Sequence, residues 1–108
     1  MSEVLREQDR ATVRPGSDVV ASMAGEFKSE LKALLDQGVK DLTIDLGGVE
    51  MIDSVGLGVL IATHNSLRQA GGQLTVANPS ADIQSLFRTM RLDRHFRVLV
   101  GQKETCHG

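Results

Sequence analysis

A serine follows an aspartate at positions 53–54, with glycines two and four residues beyond it. The run is Asp45-Leu46-Gly47-Gly48-Val49-Glu50-Met51-Ile52-Asp53-Ser54-Val55-Gly56-Leu57-Gly58-Val59-Leu60. It starts at the end of an alternating apolar segment and finishes inside a helical one, so Ser54 falls at a strand-to-helix turn, at or just before the first helical turn. The unpaired amides and positive dipole end found there favour a negatively charged oxygen, and a phosphate on Ser54 would be well accommodated. Gly56 and Gly58 remove side chains from the first turns, so a partner backbone or a nucleotide phosphate could come close. The plainer reading is that Ser54 is an N-cap and the glycines serve tight packing. The tetrapeptide alone does not exclude it.

The same serine invites a hydrolase reading. A nucleophile elbow reads G-x-S-x-G; position 52 is Ile, so half of that pattern is missing. A serine nucleophile also needs a histidine base. His64 lies on the core face of the same helix, too far down the axis at 1.5 Å per residue, which leaves His95. The sequence therefore predicts no catalytic activity of its own and no cofactor. A dinucleotide fingerprint fails because position 61, where a third glycine belongs, is Ile61. His95, His107 and Cys106 lack metal-ligand spacing. Arg88, Arg91, Arg94 and Arg97 surround a helix end and a strand start, where a solvated face is the default and an anion contact the alternative. On a helical wheel Val55, Gly58, Val59 and Ala62 turn away from the Leu57–Leu60–Leu67 face, forming a small apolar strip beside Ser54. The strip either docks a partner or touches another helix of the same domain.

The elements that must hold Ser54 follow from periodicity. Val4–Leu5 and Ala11–Val13 give short strand signals across a polar turn, and Pro15–Gly16 punctuates the chain. Ser17 or Asp18 is placed to cap a helix whose face is Val20, Met23, Ala24, Phe27, Leu31, Leu34 and Leu35, stopped by Gly38. Leu42, Ile44 and Leu46 alternate as a strand, and Asp45 can cap the loop at Gly47–Gly48. A second helix runs from Val55 to Ala70, with Leu57, Leu60, Ile61, His64 and Leu67 inward. Leu74 and Val76 mark a strand. Ser80 caps a third helix with Ile83, Leu86, Phe87 and Met90 inward, and Phe96, Val98 and Val100 alternate in a last strand. Strands alternating with helices predict an α/β fold with parallel crossovers, made mixed by the N-terminal strands.

Composition bounds the function. The 108 residues make one domain, with a core at about residues 11–100 and frayed ends. Three phenylalanines, no Tyr and no Trp leave an aliphatic core and little for base stacking. A net charge of −2 without a basic stripe argues against nucleic acid. No apolar run approaches the ~20 residues needed to span a bilayer. Met1–Arg10 carries no signal segment, and the single Cys106 makes no internal disulfide. A reduced, cytoplasmic domain without membrane or metal is expected.

The central run resembles the signature of the anti-sigma-factor antagonists of the STAS domain family: an aspartate-ended strand, a short loop, then D-S-x-G-[LI]-[GA]-x-L opening a helix. Asp53, Ser54, Gly56, Leu57, Gly58 and Leu60 match it. Gly71-Gly72-Gln73-Leu74-Thr75-Val76, Ile83–Phe87 and Arg91-Leu92-Asp93 continue the likeness. Gly16-Ser17-Asp18 is similar to the family's G-x-x-D loop, one residue shorter. Val55 stands where many members have a second small residue. The resemblance implies a small STAS domain, a mixed sheet of four or five strands with helices mainly on one side. It implies phosphorylation of Ser54 by a partner anti-sigma factor that is also a serine kinase, bound while Ser54 is unmodified, and reversal by a serine phosphatase. Asp53 would orient the hydroxyl or lie beside the incoming nucleotide. Asp18 would sit in the neighbouring loop of a docking surface formed with Ser54, Val55, Gly56, Gly58 and Ala62. Some STAS domains instead serve as scaffolds or accessory domains without phosphorylation.

Overall fold

The computed structural model describes residues 3–94 and 96–99, the side chain of Asp93 apart. Two short strands, β1 (Glu3–Glu7) and β2 (Arg10–Arg14), form an antiparallel hairpin. Helix α1 (Ala21–Asp36) leads to β3 (Asp41–Asp45), α2 (Ser54–Gln69) to β4 (Gln73–Ala77), and α3 (Ala81–Thr89) through a 3-10 turn at Leu92–Arg94 to β5 (Arg97–Leu99). The five strands lie side by side in chain order; β2 to β5 are parallel and β1 makes the sheet mixed.

Alternation explains the layering. Ala11 and Val13, Leu42 and Ile44, and Leu74 and Val76 pair across neighbouring strands and are buried in one core with Phe27, Leu31, Leu57, Leu60, Leu67, Ile83 and Phe87 of the helices. The opposite pleat carries Thr12, Thr43, Thr75 and Arg97 in register, so the helices cover one face. Phe96 packs edge-on against Phe87 at 5.6 Å and joins β5 to α3. Gly38 ends α1 at φ +98°, as its position predicts. The Ser80 hydroxyl accepts the Ile83 amide at 3.2 Å, the expected cap of α3.

Three expectations need correction. Neither Ser17 nor Asp18 caps α1: its N-cap is Val20, which has no capping side chain. Met90 is half exposed, because α3 stops at Thr89 and the chain turns into the 3-10 segment. Val59 is buried, at 7% exposure. Helix α2 packs on both the sheet and α1, so its buried arc is wider than that of a helix covered on one side. Gly56, Val59 and Thr63 form a second buried line at i, i+3 and i+7. Val100 and residues 101–108 lie outside the described residues.

Candidate functional site

Two loops meet beyond the C-terminal ends of the parallel strands. The loop after β2 and the loop after β3 join in a short parallel bridge between Val19 and Ile52, with Val19 N donating to Met51 O at 3.0 Å and Asp53 N to Val19 O at 3.2 Å. Two carboxylates lace the junction in opposite directions. Asp18 Oδ1 accepts the amides of Glu50 and Met51, at 3.0 and 3.2 Å. Asp53 Oδ1 accepts the Gly56 amide of α2 at 2.9 Å, and its Oδ2 accepts the Ala21 amide of α1 at 2.8 Å. One aspartate thus caps two helices. The Gly56 amide, then the Ala21 amide, holds the Asp53 carboxyl below its ordinary value of 3.8 and keeps it ionised.

Ser54 is the first residue of α2, immediately after that cap. It is exposed, and its hydroxyl bonds to no described residue. The cap is Asp53, so the reading of Ser54 as the N-cap is displaced: the Asp53 carboxylate accepts the Gly56 amide. No hydrogen bond joins the Asp53 carboxylate to that hydroxyl; its two oxygens accept the Ala21 and Gly56 amides.

The sequence-predicted residues separate into two layers. Asp18 and Asp53 are half-buried struts beneath the surface. Ser54, Val55, Gly58 and Ala62 are exposed along one line of α2, with Val55 at 49% exposure. Gly56 belongs with the struts: a Cβ there would stand 2.2 Å from Val19 O and 2.8 Å from Val19 Cγ1. Its bareness serves the crossing of α2 over the Val19 loop, whereas Gly58 has nothing within 4 Å and faces out. Sequence reasoning missed Met51, which is 57% exposed just before this turn. The signal was available: Val49 and Ile52 flank it as the buried positions of the loop. Asp45 does cap its loop, accepting the Gly47 amide at 2.9 Å and the Asn78 side chain at 3.1 Å.

Among the described residues no histidine is found hydrogen-bonded to Ser54. His64 packs edge-on to Phe96 at 5.9 Å, roughly 15 Å along the α2 axis from Ser54. His95 lies outside the described residues. No group of three metal-ligating side chains occurs among the described residues, and no helix there is long and apolar enough to cross a membrane.

A one-sided α/β sheet that presents a lone serine on the first turn of its central helix defines a class of domain, and comparison with known proteins gives the class its family. The STAS domain model matches residues 3–104, and the chain belongs to that family. The Anti-sigma-B factor antagonist of Bacillus subtilis is 34% identical over 79 residues, 66% of this chain and 72% of that protein. BtrV of Bordetella bronchiseptica is 30% identical over 69 residues, 64% of this chain; the match spans 60% of that relative's length. Among solved structures, Thermotoga maritima TM1081 superposes with a TM-score of 0.88 at 22% identity, over 98% of this chain and 92% of that one. The phosphorylated form of Bacillus SpoIIAA superposes with a TM-score of 0.75 at 14% identity, over 99% and 97%. At these identities the structural likeness concerns the fold: the five-stranded mixed sheet with its helices is that of a STAS domain.

Proposed function

We propose that this protein is an anti-sigma-factor antagonist, a non-enzymatic binding switch governed by phosphorylation of Ser54. The observation that carries the reading is the exposed Ser54 hydroxyl on the first turn of α2, beside the apolar line Val55, Gly58 and Ala62 and the exposed Met51. The unmodified face docks an anti-sigma factor that is also a serine kinase. Ser54 Oγ attacks the terminal phosphorus of a nucleoside triphosphate held by that partner; the bond to the diphosphate leaving group breaks and the hydroxyl proton is released. The resulting phosphate, at about −1.5 to −2 charge, sits in the contact surface and repels the nucleotide phosphates of the partner. A serine phosphatase hydrolyses the ester and restores the hydroxyl. Rigid support suits such a switch, because Asp53 and Asp18 fix the turn before any partner arrives.

The relatives' names support the antagonist role, and the existence of a phosphorylated form of SpoIIAA supports the modification. Co-expression with each serine kinase of the same genome, followed by intact-mass and fragment analysis, tests it. One added phosphate on Ser54, absent in Ser54→Ala, is expected, with loss of partner binding on modification. A phosphate elsewhere, or unchanged binding after modification of Ser54, would refute the switch and favour a scaffold.

A further inference from the structure

We propose that a cleft at the end of α2 remote from Ser54 binds a small phosphate-bearing anion of diphosphate or nucleotide size. The cleft measures about 340 Å³, within the range of small-ligand sites. Arg68 from the last turn of α2, Arg94 from the 3-10 turn and Arg97 from β5 converge on it, with His64 and Gln73. Arg68 lies about 21 Å along the helix axis from Ser54, so the site is separate from the switch surface.

The charge pattern identifies the ligand. No carboxylate lines the cleft among the described residues. None of the three arginines forms an ion pair with a described residue; Arg10, elsewhere on the sheet, does pair with Asp41 at 3.7 Å. Three cations gathered in a chain of net charge −2 are a local concentration against the overall balance. Their mutual repulsion is relieved when a polyanion binds. Guanidinium groups suit phosphate because their planar fork makes paired hydrogen bonds to its oxygens. The dipole at the end of α2 accounts for Arg68 at most. That end already has a cation, since Lys40 Nζ donates to Ala70 O at 2.9 Å. Arg94 and Arg97, on other elements, have no such role. Phe96 gives the cleft a firm wall, being 4% exposed and held edge-on by Phe87 and His64. Of the four arginines near the end of α3, Arg94 and Arg97 line the cleft; Arg88 and Arg91 do not.

The test titrates the full chain, labelled with nitrogen-15, with pyrophosphate and separately with ADP. Amide shifts of Gly72 and Gln73, which border the cleft, report the site, and calorimetry gives the affinity. Saturable binding is expected. R94Q/R97Q should lose about tenfold or more in affinity, while R88Q/R91Q, which removes the same charge outside the cleft, should change it by about twofold or less. Thermal melts confirm that both variants fold. Tighter binding of ADP assigns the site to nucleotides, and equal binding assigns it to free phosphates. The proposal is overturned by the absence of saturable shifts at millimolar ligand, or by equal losses in both double variants. Binding of an RNA oligonucleotide in the absence of any response to either small anion would also overturn it.

Discussion

Adding one methyl group at each of two glycines in the first turns of α2 should move stability in opposite directions. The Cβ created by Gly56→Ala meets Val19 O at 2.2 Å and Val19 C at 3.0 Å, where ordinary contact begins at 3.4 Å. Those atoms are backbone, so no side chain can swing aside; the loop entering α1 has to move. Val19 O also accepts the Asp53 amide at 3.2 Å, and that bond stretches with it. Overpacking costs about 1–3 kcal/mol and a weakened hydrogen bond up to about 1 kcal/mol. Against this stands about 0.8–1 kcal/mol of helix propensity gained over glycine. The net is a loss of up to roughly 3 kcal/mol. Gly58→Ala meets nothing within 4 Å and keeps the propensity gain of about 0.5–1 kcal/mol. The propensity gain is common to both variants, so they should differ by roughly 1–4 kcal/mol, or about 4–16 °C in Tm for a domain of this size. Circular dichroism is the suitable probe, because the chain has no Trp or Tyr. A Gly56→Ala protein melting as high as Gly58→Ala would refute the close approach of α2 to the Val19 loop.

Ser54→Asp should remain within about 1 kcal/mol of wild-type stability, since a carboxylate at the helix start gains about 0.3–1 kcal/mol from the dipole, offset by the adjacent Asp53. It should bind the anti-sigma partner far more weakly in calorimetry, and equal affinity would refute the switch. Ser54→Ala should be as stable as wild type, because Asp53 rather than Ser54 is the cap, while binding the partner and resisting inactivation. Ala62→Arg should abolish partner binding with the melt unchanged; an unfolded variant would show that Ala62 packs internally. The Asp53 carboxyl is lowered in the folded state, so its contribution is complete above 3.8 and is lost as the pH falls through its lower folded value. Asp53→Asn should melt below wild type at neutral pH, with the gap closing under acid; a gap independent of pH would show that the charge has no part in holding the two helices.

What the sequence made legible was whatever periodicity or a terminator encodes locally. The alternation Leu42-Ile44-Leu46, the helical spacing from Ala24 to Leu34, the Ser80 cap and the Gly38 stop all appear where their patterns place them. The motif around Asp53-Ser54 placed that serine at the strand-to-helix turn, where the structure has it. What escaped was set by contacts between segments distant in sequence. Asp18 looked like a local cap and instead reaches Glu50 and Met51; no spacing rule pairs those loops. Val59 looked outward on a wheel drawn for one buried face, and the wheel has no knowledge that α1 lies alongside. Gly56 and Gly58 look alike in the motif, and only the position of Val19 separates them.

The side-by-side order of the strands bears on how the chain is made. Each strand of this sheet pairs with the strand synthesised just before it, so no finished pair has to open to admit a later one. A chain emerging at about 5–20 residues per second can extend its sheet one strand at a time, with the growing edge always on the newest strand and β1 as the fixed edge opposite. The outermost strand at that growing edge among the described residues, β5 (Arg97–Leu99), carries Arg97. A short, charged edge is a poor template for pairing between molecules.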